Sequence, residues 1–213
     1  MKYISPTVTA TDEETFNKQL TLLNSFAKRI HIDLMDGIFT PTKSPSEDLL
    51  KVSSLAILDV HVMYDYPLNA LDTIIGWKPN LVIVHAECKD DLNSIISKLK
   101  KSGVKAGLAL LPETTVESVR DILPRFEHVL VFGGNLGYQG GKPADLNQLV
   151  KVKQCKLINN NLEFGWDGGA NSQNCLEIAN ASIDVINVGS AIQKARNPAQ
   201  EYELMTDLVS KRV

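Results

Sequence analysis

The stretch "RIHIDLMDGIF", residues 29–39, places an imidazole and two carboxylates within an apolar run of the kind that forms buried strands. Because side chains alternate across a strand, His31 and Asp33 point to the same side. Removing an unpaired carboxylate from water is costly, so this pair requires either a compensating partner or a place at a strand end where chemistry occurs. Asp36 lies outside the alternation and is expected to brace the following loop.

Seven further β-rich runs have a similar length: residues 2–9, 56–63, 81–87, 105–111, 128–134, 162–168 and 185–191. Segments with helical spacing lie between them. The first has an apolar face of Phe16, Leu20, Leu23 and Phe26, and the last has one of Tyr202, Met205, Leu208 and Val209. Capping boxes at 11–14 and 114–117 and the Ser44-Pro45 pair predict helix starts.

Eight strands alternating with eight helical segments predict parallel strands joined by crossovers. The count fits a single (β/α)8 TIM barrel, and no linker or composition shift divides residues 1–213, so one domain is expected. An open doubly wound sheet is the alternative. In a barrel, functional residues lie at the carboxyl ends of the strands and in the loops that follow them.

The composition restricts the partners. The chain has 213 residues, 44% of them hydrophobic, and a net charge of -3 with no basic block, so neither nucleic acid nor a membrane is an expected partner. No apolar run is long enough to span a bilayer, and residues 1–14 lack the apolar core of a signal peptide. Three widely spaced cysteines (Cys88, Cys155 and Cys175) indicate reduced thiols and a cytoplasmic location.

Several strands end in polar residues. His31 and Asp33 lie late in the second strand, Asp59 and His61 in the third, His85 and Glu87 end the fourth, and Asp167 ends the seventh. Two imidazoles and two carboxylates that converge at one barrel mouth would bind a divalent ion such as zinc, iron, manganese or cobalt. Taken singly, a strand-end histidine is commonly a packing residue, and an aspartate before Gly-Gly is commonly part of a turn.

Glycine-rich segments follow the last three strands: "GGNLGYQGGK" (133–142), "DGGA" (167–170) and "GSA" (189–191). Loops at these positions in a barrel often bind phosphate through backbone N–H groups. Flexible surface loops are the alternative interpretation. The chain contains neither a Walker motif nor G-x-G-x-x-G, so no nucleotide is indicated.

These residues resemble those of the ribulose-phosphate 3-epimerase family, and the resemblance runs nearly from end to end. The matching stretches are "HIDLMDGIFTP" (31–41), "LDVHVMYDYP" (58–67), "VHAE" (84–87), "WDGGAN" (166–171) and "INVGSAIQKARNP" (186–198). The first two are specific when they occur together.

The resemblance implies metal-dependent epimerisation at C3 of a small phosphorylated ketose, D-ribulose 5-phosphate to D-xylulose 5-phosphate in the pentose phosphate pathway. It assigns one divalent ion to His31, Asp33, His61 and Asp167, and it makes Asp33 and Asp167 the acid/base pair that acts through an enediolate. By analogy a homo-oligomer is expected. The substrate contacts that it implies are Thr9, His61, Gly137, Tyr138, Gln139, Gly140, Gly168, Gly169, Gly189 and Ser190.

Some positions depart from the family pattern. Family members usually carry histidine at the position of Ile38 and asparagine at that of Thr42, and the strand-six motif differs over 132–139. A 3-epimerase of another ketose phosphate, such as a hexulose 6-phosphate, and a non-catalytic sugar-phosphate-binding homologue therefore remain alternatives. A related decarboxylase is set aside, because residues 33–36 lack the lysine of D-x-K-x-x-D.

Overall fold

The strands form a closed parallel barrel. A computed structural model describes residues 2–210, in which each strand pairs with the next one and the eighth pairs with the first. The TIM-barrel prediction is confirmed, and the open sheet is excluded. The strands are β1 Tyr3–Val8, β2 Arg29–Met35, β3 Ile57–Met63, β4 Leu81–His85, β5 Lys105–Leu110, β6 His128–Phe132, β7 Glu163–Asp167 and β8 Val185–Val188.

Helices surround the barrel unevenly. The α-helices are α1 Glu13–Asn24, α2 Leu71–Gly76, α3 Leu92–Lys101, α4 Val150–Ile158, α5 Cys175–Asn180, α6 Ser190–Gln193 and α7 Pro198–Ser210. Two of the eight expected helical segments are 3₁₀ turns only: Glu47–Leu49 between β2 and β3, and Glu117–Val119 with Leu123–Arg125 between β5 and β6. The sequence therefore predicts the crossovers correctly but overstates their helix content.

The predicted helix starts were wrong in detail. Asp12, rather than Thr11, caps α1, because its carboxylate accepts from the Thr15 N–H at 2.8 Å. The Thr114 hydroxyl donates to Glu87 instead of capping a helix. The Ser44 hydroxyl accepts from the Met35 N–H at 3.0 Å, and it thereby ties the loop to the end of β2.

Two apolar layers hold the barrel together. The larger one fills the space between the strands and the helices, and it includes the predicted faces of α1 and α7. Full burial of each such leucine or phenylalanine contributes about 1.5–3 kcal/mol. Inside the barrel, a small cluster of Leu81, Ile83, Ala109 and Leu130 separates the two ends.

An ion-pair cluster closes the amino end of the barrel. The Arg29 Nε lies 2.5 Å from Asp59, and its terminal nitrogens donate to both oxygens of Glu163 at 2.8 and 2.9 Å. The His128 Nδ1 lies 2.8 Å from Glu163. Gly165 makes room for this ring, because a Cβ there would lie 2.5 Å from the His128 Nε2. Asp59, which shares a face with His61, therefore belongs to the end opposite the mouth.

The Glu163 carboxylate is expected to make stability fall in acid. Burial would raise its pKa, but hydrogen bonds from Arg29 and His128 outweigh burial and lower the pKa well below 4.5. A depressed folded-state pKa gives stability that is present above pH 4.5 and is lost as the pH falls through the folded value. Urea unfolding of wild type and Glu163→Gln should therefore differ at pH 7 and converge in acid. A gap that widens in acid would contradict this assignment.

The length of the helices and the state of the cysteines concern two further expectations from the sequence. Among residues 2–210, no helix combines the length and apolar character that crossing a bilayer requires. Cys88, Cys155 and Cys175 are free thiols, as predicted.

Candidate metal and substrate site

Four side chains from three strands converge at the carboxyl end of the barrel. His31 and Asp33 come from β2, His61 from β3 and Asp167 from the end of β7, and one ligand atom of each lies within 4.8 Å of all the others. The Asp33 Oδ1 is 3.2 Å from both the His31 Nε2 and the His61 Nδ1. The Asp167 Oδ2 is 4.0 and 3.6 Å from the same two nitrogens.

Strand register explains this convergence. Asp33 and His61 are direct partners across β2 and β3, so their side chains leave the sheet side by side. His31 lies two residues earlier than Asp33 on the same face. The closed barrel then brings β7 across from β2, and only closure places Asp167 against them.

The four residues suit a divalent cation. Both ring nitrogens of His31 are buried and form no hydrogen bond among the described residues, although Nε2 lies 3.2 Å from the Asp33 Oδ1. A metal at Nε2 would satisfy one of them. Two nitrogens and two carboxylate oxygens form a donor set that first-row divalent ions accept. The site residues therefore fit the metal that the sequence predicts.

The charges support the same interpretation. Burial alone would raise the pKa of Asp33, but the neighbouring His31 and His61 rings lower it below its ordinary range. Burial would lower the pKa of His61, yet its interactions with Asp167 and Asp33 raise that pKa to about 9. The two carboxylates thus attract a positive charge to the point between them, and a bound cation would supply that charge.

A second group of polar residues lies behind the first. The His61 Nε2 is 2.8 Å from the His85 Nε2, and the His85 Nδ1 is 3.3 Å from the Glu87 Oε2. Burial lowers the pKa of His85 to about 4, although Glu87 opposes the shift. The burial of His85 therefore favours its neutral form.

A cavity of about 340 Å³ opens above the four residues. Asp33 and Asp167 reach its wall, whereas His31 and His61 are fully buried and are not among its lining residues. The other predicted substrate contacts on this wall are Thr9, Gly137, Tyr138, Gln139, Gly140, Gly168, Gly169, Gly189 and Ser190.

The loop after β6 crosses the mouth of this cavity. The Thr42 hydroxyl donates to the Gly137 carbonyl, and the Gln139 amide reaches the Thr7 hydroxyl at 3.4 Å. Gly168 has a φ of +120°, and a Cβ there would collide with the backbone of Gly134. Glycine at 168 therefore allows the loops after β6 and β7 to touch.

Some lining residues were not predicted from the sequence. Met63, Phe132 and Asn187 also face the cavity. Asn187 is the direct register partner of Asp167, so strand parity could have placed its side chain at the mouth. Asp36 lies outside the cavity and braces its loop as predicted, because its carboxylate accepts from the N–H groups of Ile38, Phe39 and Asp65.

Solved structures share this fold. They include a 3-hexulose-6-phosphate synthase from Salmonella typhimurium (TM-score 0.71, 15% identity, 99% of each chain covered). An orotidine 5'-phosphate decarboxylase from Pyrococcus horikoshii has a TM-score of 0.67 at 16% identity and covers 98% of this chain and 100% of its own. At such identities the likeness establishes the barrel alone.

Relatives that are similar in sequence indicate the family as well as the fold. A Helicobacter pylori ribulose-phosphate 3-epimerase is 29% identical over 91% of this chain and 92% of its own. A Mycobacterium bovis ribulose-phosphate 3-epimerase is 30% identical over 92% of this chain and 88% of its own. The model of the ribulose-phosphate 3 epimerase family matches residues 3–193, a range that includes all four converging residues. The chain therefore belongs to the ribulose-phosphate 3-epimerase family.

Proposed function

We propose that the protein interconverts D-ribulose 5-phosphate and D-xylulose 5-phosphate by proton transfer at C3, with one divalent ion (zinc, iron, manganese or cobalt) held by His31, Asp33, His61 and Asp167. The observation that carries the proposal is the convergence of two carboxylates and two imidazoles at one end of the barrel, where the two carboxylates reach the wall of a cavity. Family membership supports the isomerase class and the pentose phosphate pathway.

The two carboxylates supply the proton transfers. Epimerisation next to a carbonyl requires a base that removes the C3 proton from one face and an acid that returns a proton to the other. Asp33 and Asp167 both reach the cavity wall from different strands, and they can exchange these roles with the direction of reaction. When bound, the ion would polarise the substrate carbonyl and offset the charge of the enediolate.

Thr9 is suited to help Asp33 change its protonation state. Its hydroxyl donates to the Asp33 Oδ2 at 2.6 Å, and it also lies 3.2 Å from the Thr7 hydroxyl. When the Asp33 Oδ2 takes a proton, the Thr9 hydroxyl can turn, accept from Asp33 and donate to Thr7. The Thr9 backbone is held for this task by Gln19, which bonds both its N–H and its carbonyl.

The glycine-rich loops are suited to the phosphate. Gly168, Gly169 and Gly189 bring backbone to the cavity wall, and the Ser190 side chain lies there with them at the start of α6. Backbone N–H groups that face a cavity without side chains in front of them bind phosphate oxygens. The phosphate would thus lie at the β7–β8 side and C3 between the two aspartates.

Thr9→Val is expected to lower kcat by about 10-fold with little change in KM, because Asp33 loses a hydroxyl worth roughly 1.5 kcal/mol. Thr9→Ser keeps the hydroxyl and is the matched control, with kcat expected near the wild-type value. Steady-state kinetics of both variants, with metal in excess, measure the difference. Equal kcat values for Val and Ser would remove Thr9 from the mechanism.

The substrate assignment is tested by proton NMR in heavy water. Metal-loaded protein is incubated separately with ribulose 5-phosphate and with a hexulose 6-phosphate. Deuterium entry at C3 of the pentulose, together with formation of xylulose 5-phosphate, is the expected result. Faster exchange with the hexulose would identify a six-carbon substrate, and binding of both sugars without any exchange would identify a non-catalytic binding protein.

A further inference from the structure

The hydrogen bond between His61 and His85 restricts where protons lie behind the candidate metal site. The two Nε2 atoms are 2.8 Å apart, and both rings are fully buried. Such a contact between two imidazoles requires an N–H on one ring and a lone pair on the other. The direction of this bond therefore decides the tautomer of both rings.

The opposite edge of His61 determines that direction. Its Nδ1 faces Asp33 and Asp167 at 3.2 and 3.6 Å, so Nδ1 is the atom that would hold a metal at the proposed site. A neutral ring that ligates through Nδ1 carries its proton on Nε2. His61 must then donate to His85, and the His85 Nε2 must be unprotonated.

Glu87 is the last residue in this series of hydrogen bonds. With its Nε2 accepting, His85 carries its proton on Nδ1, which lies 3.3 Å from the Glu87 Oε2. The other carboxylate oxygen, Oε1, accepts from the Leu111 N–H at 3.2 Å and from the Thr114 hydroxyl. Three donors thus converge on one carboxylate from β4 and the loop after β5, and an ionised carboxylate has lone pairs for all three.

We propose that His85 and Glu87 are positioning residues that hold His61 in the Nε2–H tautomer and so present a free Nδ1 to the metal. The inference rests on the proposed metal site and extends it to two residues that touch neither metal nor substrate. Groups that orient a ligating histidine in this way typically change metal affinity by about 10- to 100-fold when they are mutated.

Glu87→Gln is the sharpest variant, because it keeps the shape of the side chain and removes one acceptor. The carboxamide oxygen is needed by Leu111 and Thr114, so the NH₂ group would face His85 and favour a proton on the His85 Nε2. That proton would oppose the His61 Nε2–H and favour the wrong His61 tautomer. Cobalt affinity of the metal-free protein, measured by calorimetry, should fall about 10- to 100-fold.

A double variant distinguishes an effect of Glu87 through its hydrogen bond to His85 from a simple loss of its negative charge. His85→Phe removes the middle residue of the hydrogen-bonded series from His61 to Glu87, and it should also lower affinity for cobalt about 10- to 100-fold. Adding Glu87→Gln to His85→Phe should lower the cobalt affinity little further, since Glu87 acts through His85. Phe39→Leu is the packing control, because the Phe39 and His85 ring centroids lie 4.7 Å apart and a phenyl ring forms no such hydrogen bond. The cobalt affinity of this variant should stay near that of wild type.

A readout on the unmutated protein does not depend on variant folding. In the zinc-loaded protein, ¹⁵N–¹H correlation spectra of the histidine rings should show His61 protonated at Nε2 and His85 protonated at Nδ1 only. A His85 ring protonated at Nε2, additive losses in the double variant, or unchanged affinity in Glu87→Gln would each overturn the inference. Wild-type protein that binds neither cobalt nor zinc would instead overturn the proposed metal site and this inference with it.

Discussion

Asp33→Asn and Asp167→Asn are each expected to lower the rate of C3 epimerisation by about 10²–10⁴-fold, the usual contribution of a positioned acid or base. An amide neither takes the C3 proton nor returns one, so both directions of the reaction should fail in either variant. Proton NMR of ribulose 5-phosphate in heavy water measures the loss as slower formation of xylulose 5-phosphate.

Weaker metal binding by these variants must be separated from the loss of proton transfer. His31→Gln is the matched control, because His31 is a candidate ligand that lies behind the cavity wall and transfers no proton in the proposed mechanism. Its activity should rise as cobalt or zinc is added, whereas the two asparagine variants should stay slow at every metal concentration. An asparagine variant that recovers wild-type rate with excess metal would contradict the acid/base assignment.

Arg29→Leu is expected to destabilise the protein by about 3–5 kcal/mol, because it leaves the buried Asp59 and the half-buried Glu163 without their shared cation. Arg120→Leu is the control, since Arg120 pairs with Glu117 at 3.1 Å on an exposed face where the free energy of unfolding should change by about 0.5 kcal/mol or less. Urea unfolding at pH 7 compares the two, and similar losses would mean that the amino-end cluster contributes no more than a surface pair.

The barrel was predictable because the strand pattern is repeated eight times. The β2 prediction, Arg29–Met35, is the same as the observed strand, and β3 also ends at the predicted Met63. The other strands end one to three residues earlier than predicted. Near the end of β6, an apolar run gives way to Gly133 and Gly134, and composition alone does not show where pairing stops.

The residues of the candidate site that were predictable are those whose direction follows from the alternation of side chains along one strand. His31 and Asp33 share a face by parity, and His61 follows from the same rule on β3. The helix starts predicted at Thr114 and Ser44 were wrong because these hydroxyl groups bond elsewhere: Thr114 donates to Glu87, 27 residues away, and Ser44 accepts from Met35. The contact between His85 and His61 could not be predicted from spacing, because it depends on ring orientation as well as on strand register.

In the proposed mechanism, Asp33 and Asp167 at the cavity wall transfer the C3 proton from opposite faces. The most direct test is the isotope content of the first xylulose 5-phosphate formed from unlabelled ribulose 5-phosphate in heavy water. Two carboxylates predict deuterium at C3 of essentially every product molecule while unreacted substrate keeps its hydrogen. First-formed product that retains the substrate hydrogen at C3 would show that a single base returns the same proton, and it would exclude the mechanism with two carboxylates.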